Sequence, residues 1–214
     1  MNNKKMKLQV AMDTISPDKL EAYLENAKEY LDIVELGTPY LLVHGVSIIH
    51  KIKKIAPHIE ILCDSKIMDA GYYEAEELFK SGADYVTVLA VADNSTIKEC
   101  VRASQKYGKT LVADMICIED VKTKAEQLEA LGVAAISVHT GVDQQAEGRT
   151  PLDDLAKIKE GTKKAQVFVA GGLTKDTIKD YMEYQPEVLI VGGGILNAED
   201  PVEETRLIYH IVNQ

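Results

Sequence analysis

"SGADYVTVLAVADNSTIKECVRASQKYGKTLVADMI", Ser81 to Ile116, holds one full structural unit and the opening of the next. "YVTVLA", from Tyr85, is a short apolar, β-branched run with the length of a strand. "NSTIKECVRASQKYG" follows with the amphipathic spacing of a helix and ends on Gly108, suited to the left-handed position after a last turn. "TLVADMI", from Thr110, then reads as a second strand. The same helix–Gly–x–strand phrase stands in "SGADYV", "YGKTLV" and "LGVAAI", so the chain repeats itself about every 25 residues.

Outward from this unit, apolar runs begin at Leu8 ("LQVAMD"), Ile33 ("IVELG"), Glu60 ("EILCDSK"), Tyr85, Thr110, Ala134 ("AAISVHT"), Gln166 ("QVFVAGG") and Val188 ("VLIVGGG"). Successive starts lie 25, 27, 25, 25, 24, 32 and 22 residues apart. Near-continuous apolar runs suit strands buried on both faces, hence a parallel sheet. Between them, "SPDKLEAYLENAKEY" offers Ser16 as N-cap, Pro17 at the first helical position, and an apolar stripe of Leu20, Tyr23, Leu24, Ala27 and Leu31. "EDVKTKAEQLEALG" ends on Gly132, and Gly82 closes the helix before it in the same way. Eight strands alternating with eight helices, no GxGxxG after the first strand and no linker-like break predict a single-domain (β/α)₈ TIM barrel over residues 1–214.

Composition narrows the function. With 46% hydrophobic and 27% charged residues the chain reads as globular. No apolar run is long enough to span a bilayer, and "MNNKKMKLQV" lacks the apolar region of a signal peptide, so a cytoplasmic location is expected. A net charge of −10 argues against a nucleic-acid surface. Cys63, Cys100 and Cys117 are too scattered for a disulfide framework or a CxxC metal site and read as packed free thiols.

In such a barrel, chemistry is built at the C-terminal ends of the strands. The first strand ends on Asp13, the second on Glu35, the third on Asp64 and Lys66, and the sixth on His139; the seventh and eighth end in Gly171–Gly172 and Gly192–Gly194. The fourth strand and the fifth, with Asp114 inside "VADMI", add little. Each group alone has a simpler account: a cap, an Asp64–Lys66 ion pair on one strand face, a core histidine, a tight turn. Their shared phase in the repeat points to one polar mouth. Glu35 and Asp64 are hard oxygen ligands suited to Mg²⁺. Lys66 suits a developing oxyanion, His139 a proton moved near neutral pH, and the glycines a phosphate held by backbone N–H groups. Together these suit an enediolate made from a phosphorylated sugar.

"DSKIMDAG" (Asp64–Gly71) matches the D-x-K-x-x-D signature of the orotidine 5′-monophosphate decarboxylase suprafamily, and the chain resembles that suprafamily from Leu8 to about Val212. "VELG" and "SVHTGVDQQAEGRTPLDDL" resemble its hexulose-phosphate synthase branch. The resemblance implies a reversible, Mg²⁺-dependent aldol condensation of D-ribulose 5-phosphate with formaldehyde, with Mn²⁺ able to substitute. It implies that Glu35 and Asp64 hold the metal, Asp13 and Lys66 position the sugar hydroxyls, and His139 transfers a proton at C1. It further implies a homodimer in which Asp69 reaches into the partner's site, and a phosphate cradle at Gly172, Gly192 and Gly193. Relatives often carry arginine where Gly193 stands; Arg149, in the longest loop, is a candidate replacement on a lid. Rival readings are a 3-keto-L-gulonate 6-phosphate decarboxylase, disfavoured by Asp143 after His139, and a non-catalytic phosphate-binding barrel. An orotidine 5′-monophosphate decarboxylase is disfavoured by Glu35 where a lysine would stand.

Overall fold

All eight apolar runs form strands: β1 (Lys7–Met12), β2 (Ile33–Leu36), β3 (Glu60–Ile67), β4 (Tyr85–Leu89), β5 (Thr110–Asp114), β6 (Ala135–His139), β7 (Gln166–Ala170) and β8 (Val188–Val191). In this computed structural model, which describes residues 6–148 and 150–214, they pair in parallel and in chain order. The β1–β8 pairing, Lys7 opposite Val188 to Val10 opposite Val191, closes the barrel. The first residues of "MNNKKMKLQV" and Arg149 lie outside the described residues.

Successive strand side chains face opposite sides, so one sheet carries two cores. Leu8, Val10 and Met12 of β1, with Ile61 and Cys63 of β3, face the surrounding helices. Ala11, Ile33, Leu62, Tyr85, Val112, Ala135, Phe168, Val188 and Ile190 fill the barrel interior. Full burial of each large apolar side chain contributes about 1.5–3 kcal/mol, which is why the pattern tolerates so few polar residues below the mouth.

The helices are α1 (Pro17–Ala27), α2 (Thr38–His44), α3 (Ile49–Ile55), α4 (Gly71–Lys80), α5 (Asn94–Tyr107), α6 (Val121–Ala130), α7 (Val142–Ala146), α8 (Leu152–Gly161), α9 (Ile178–Met182), α10 (Gly193–Leu196) and α11 (Pro201–Val212). This exceeds the eight expected, because single short turns follow β2, β6 and β8 before the main helix of each unit. Gly108 takes φ 62° after α5, as its position required, while its N–H and that of Lys109 satisfy the last carbonyls. Ser16 stands at the N-cap of α1 but its hydroxyl makes no capping bond; Pro17 begins the helix. Cys63 and Cys100 are buried free thiols, whereas Cys117 is exposed and so is not the packed thiol expected.

Candidate active site

Towards the C-terminal ends of the strands, the inward positions turn from apolar to polar. Glu35, Asp64, Thr87, Asp114, Ser137 and His139 line a cavity of about 810 Å³ that Asp13, Gly171, Gly172, Gly192 and Gly193 also border. The sequence-predicted groups therefore converge, with one exception. Asp69 does not line the cavity; it is exposed beyond β3 and accepts the Ala70 N–H.

Lys66 reaches the mouth through a break in β3. Cys63 pairs with Val86 and Ile67 with Val88, so four steps on β3 match two on β4, and Lys66 takes a left-handed φ of 48°. Simple strand alternation, which would place Asp64 and Lys66 on one face, is thus replaced by a bulge of the kind common beside active sites. The bulge is held by Thr87, whose carbonyl accepts from Ser65 and whose Oγ1 accepts from the Lys66 N–H at 2.9 Å. The ammonium lies 2.8 Å from Asp64 Oδ2 and 2.9 Å from Asp114 Oδ2. Burial disfavours its charge, but Asp114 and Asp64 outweigh that and raise its pKa.

Asp114 corrects the sequence reading, which gave the fifth strand no part. It ends β5, is 2% exposed and joins Lys66 to His139, whose Nδ1 sits 2.9 Å from Asp114 Oδ2. Burial alone would raise its pKa; the His139 and Lys66 contacts override this and hold it at about 2. An ionised carboxylate only accepts, so His139 Nδ1 carries the proton and Nε2 is left for the cavity. The Ile116 N–H fixes the other Asp114 oxygen at 3.0 Å.

On the opposite wall, Glu35 is pushed up to about 8, first by burial and then by the charge of Asp64. Its bond from Gln9 Nε2, at 2.6 Å, opposes that shift. Asp13 is raised too, by loss of water and then by Asp64. A Cβ at Gly37 would overlap Asp13 Oδ1, so the glycine of "VELG" makes room for this carboxylate. Like charges crowded on adjacent strands form a donor set that a hard dication would relieve. Among the described residues no three His, Cys, Asp or Glu side chains form a metal cluster. Mg²⁺ needs none, since it is commonly held by one or two carboxylates plus substrate or water oxygens. Glu35 and Asp64 fit the ion.

Gly171 and Gly172 have φ of 124° and 71°, and a Cβ on Gly171 would lie 2.8 Å from the Thr140 carbonyl, so the β7 end tolerates no side chain. Gly193 opens α10; the N–H groups of Ile195 and Leu196 bond to the Gly192 carbonyl, while those of Gly193 and Gly194 precede the first helical bond. A Cβ at Gly193 would lie 3.0 Å from Asn197 Nδ2, so a side chain there would require the Asn197 amide to shift. Arg149, the candidate replacement, lies outside the described residues. Sequence reasoning also missed Gln9, Thr87 and Ser137. Their signal was parity: each is a polar residue at an inward position of an otherwise apolar run.

A profile for the orotidine 5′-phosphate decarboxylase/HUMPS family matches residues 6–208. The 3-hexulose-6-phosphate synthase of Staphylococcus haemolyticus is 43% identical over 201 residues, covering 94% of this chain and 96% of that one. The solved 3-hexulose-6-phosphate synthase from Salmonella typhimurium is 45% identical, with a TM-score of 0.95 over 98% of this chain and 99% of that one. A solved KGPDC from Streptococcus mutans superposes with a TM-score of 0.88 over 97% of each chain at 25% identity. Likeness of this extent makes the chain an enzyme and supports an aldolase-type lyase activity for it. Among the described residues no helix is long and apolar enough to cross a membrane. The repeat, the closed barrel, the polar mouth and the profile agree, and this chain belongs to the orotidine 5′-phosphate decarboxylase/HUMPS family.

Proposed function

We propose that this chain catalyses the reversible condensation of D-ribulose 5-phosphate with formaldehyde to D-arabino-hex-3-ulose 6-phosphate, in the cytoplasm and with Mg²⁺. The observation that carries the reading is the unbroken contact chain Asp64–Lys66–Asp114–His139 facing Glu35 across one cavity. Glu35 and Asp64 would hold the ion, which when bound supplies Lewis-acid stabilisation of negative charge on neighbouring oxygens. His139 Nε2 takes the proton from C1 of the sugar, with Asp114 holding the ring tautomer. Lys66 stabilises the oxyanion on C2 as the enediolate forms. The C1 carbon then attacks formaldehyde, one C–C bond forms, and the formaldehyde oxygen takes up a proton. Asp13 positions sugar hydroxyls, while the N–H groups of Gly171, Gly172, Gly192 and Gly193 hold the phosphate.

The partner is a second copy. Leu42 and Val43 on α2 are 82% and 74% exposed, and Met68 and Tyr73, flanking Asp69, are 53% and 67% exposed. Exposed apolar side chains on α2 and on both sequence sides of an acid that misses its own cavity support a homodimer in which Asp69 completes the other site. Mixing inactive Asp69→Asn and Lys66→Ala variants should then restore part of the activity; no recovery despite subunit exchange would remove Asp69 from the shared site.

The decisive assay offers formaldehyde with ribulose 5-phosphate beside 3-keto-L-gulonate 6-phosphate, with and without EDTA. Formaldehyde consumption that needs Mg²⁺ is expected. Decarboxylation alone would replace the synthase reading, which the 45% against 25% identities favour, and full activity in EDTA would remove the metal.

A further inference from the structure

Gln9 is the one polar residue placed deep in the interior of β1, between Leu8 and Val10, and it is completely buried. It pairs laterally with Ile33 and Ile190, among apolar side chains that fill the barrel below the mouth. A buried amide costs free energy unless both ends are hydrogen-bonded. Here only one end is. Nε2 donates to Glu35 Oε2 at 2.6 Å, and Oε1 has no partner among the described residues. Turning the amide over would set its carbonyl against Glu35 in the ionised form that a cation binds, acceptor against acceptor. The side chain therefore sacrifices one hydrogen bond to aim its NH₂ at Glu35, and core packing alone gives no reason for that choice.

We infer that Gln9 is a positioning residue for divalent-cation binding, fixing one oxygen of Glu35 so that the other is presented to the cavity. This rests on the reading of Glu35 as a metal ligand. Groups that orient a ligating carboxylate usually change metal affinity about 10–100-fold when removed. Thr38 and Thr87 hold Asp64 in the corresponding way, at 2.9 and 2.8 Å, so each ligand would have its own orienting donors. Gln9 borders the cavity, but its Oε1 is sealed from it, so the amide is not oriented to serve that oxygen.

Gln9→Met keeps the side-chain length and removes both polar atoms; Gln9→Leu is the second variant. Mn²⁺ binding to wild type and variants is measured by titration calorimetry, with melting temperature read in EDTA. Binding weakened about 10–100-fold, with a metal-free Tm close to wild type, is expected, because the lost Gln9–Glu35 bond is offset by removal of an unpaired buried carbonyl. Adding Gln9→Met to Glu35→Ala should weaken binding no further. Wild-type Mn²⁺ affinity in a variant, a lowered metal-free Tm with affinity kept, or failure of both variants to fold would each overturn the inference. Wild type that binds no Mn²⁺ at all would instead overturn the metal reading beneath it.

Discussion

At the closed end of the barrel Asp84 accepts from Lys53, Lys109 and the Ile61 N–H, at 2.8, 2.5 and 3.0 Å. Glu129 accepts three successive N–H groups, those of Lys163, Lys164 and Ala165. Lys7, Glu60 and Tyr85 close the bottom of the interior in one network. At the open end, Glu35 takes its hydrogen bond from Gln9, faces the charge of Asp64, and carries a pKa pushed up to about 8. Both ends hold satisfied carboxylates, since Asp64 and Asp114 at the open end also accept from several donors and tie strands together. Only the open end adds Glu35 and Asp13, whose pKa values are raised by burial and by Asp64, a conflict that a ligand would relieve.

His139→Gln should break the comparison most visibly. Removing the proton carrier should lower kcat about 10²–10⁴-fold, with Tm within a few degrees of wild type, measured by steady-state kinetics beside thermal melts. A Tm collapse with normal kcat would make the mouth structural. Asp84→Ala tests the other end. Several donors left unpaired should cost about 1–3 kcal/mol, which for a chain of this size lowers Tm by roughly 2–10 °C, while kcat stays within about twofold of wild type.

The smallest effect sharpens the contrast through pH. Glu35 binds its proton more tightly folded than unfolded, so in EDTA stability falls as pH rises from about 4.5 through about 8. Asp84 and Asp114 are held low, Asp114 at about 2, so their contributions are present above about pH 4 and lost as pH falls through the folded value. A Tm decline between pH 5 and 8 is expected, flattened by Glu35→Gln or by added Mg²⁺. An unchanged slope in Glu35→Gln would remove Glu35 as its source.

Most of the fold was legible because it repeats: apolar runs, helix stops such as Gly108, and charged strand ends recur at one phase. The short helices α2, α7 and α10 were not, since one or two turns of four to seven residues carry too little periodicity to separate from loop. Asp13, Glu35, Asp64, Lys66 and His139 were found as charges at strand ends. Asp114 was passed over because the following "MI" made it look interior, although it ends its strand. Gln9, Thr87 and Ser137 were hidden because uncharged polar residues scarcely disturb a run of Val, Ile and Ala. The bulge in β3 has no sequence mark of its own; it follows from pairing with β4, which a strand read alone does not contain.

That bulge also affects how the enzyme distributes its disorder. Lysine carries about 2 kcal/mol of rotamer entropy, and a lysine on an open loop would lose it anew with every substrate bound. Lys66 is pinned by register on both sides, at Cys63 and Ile67, and its ammonium rests between two carboxylates. Its freedom is given up once, when the barrel closes, and not again at each turnover.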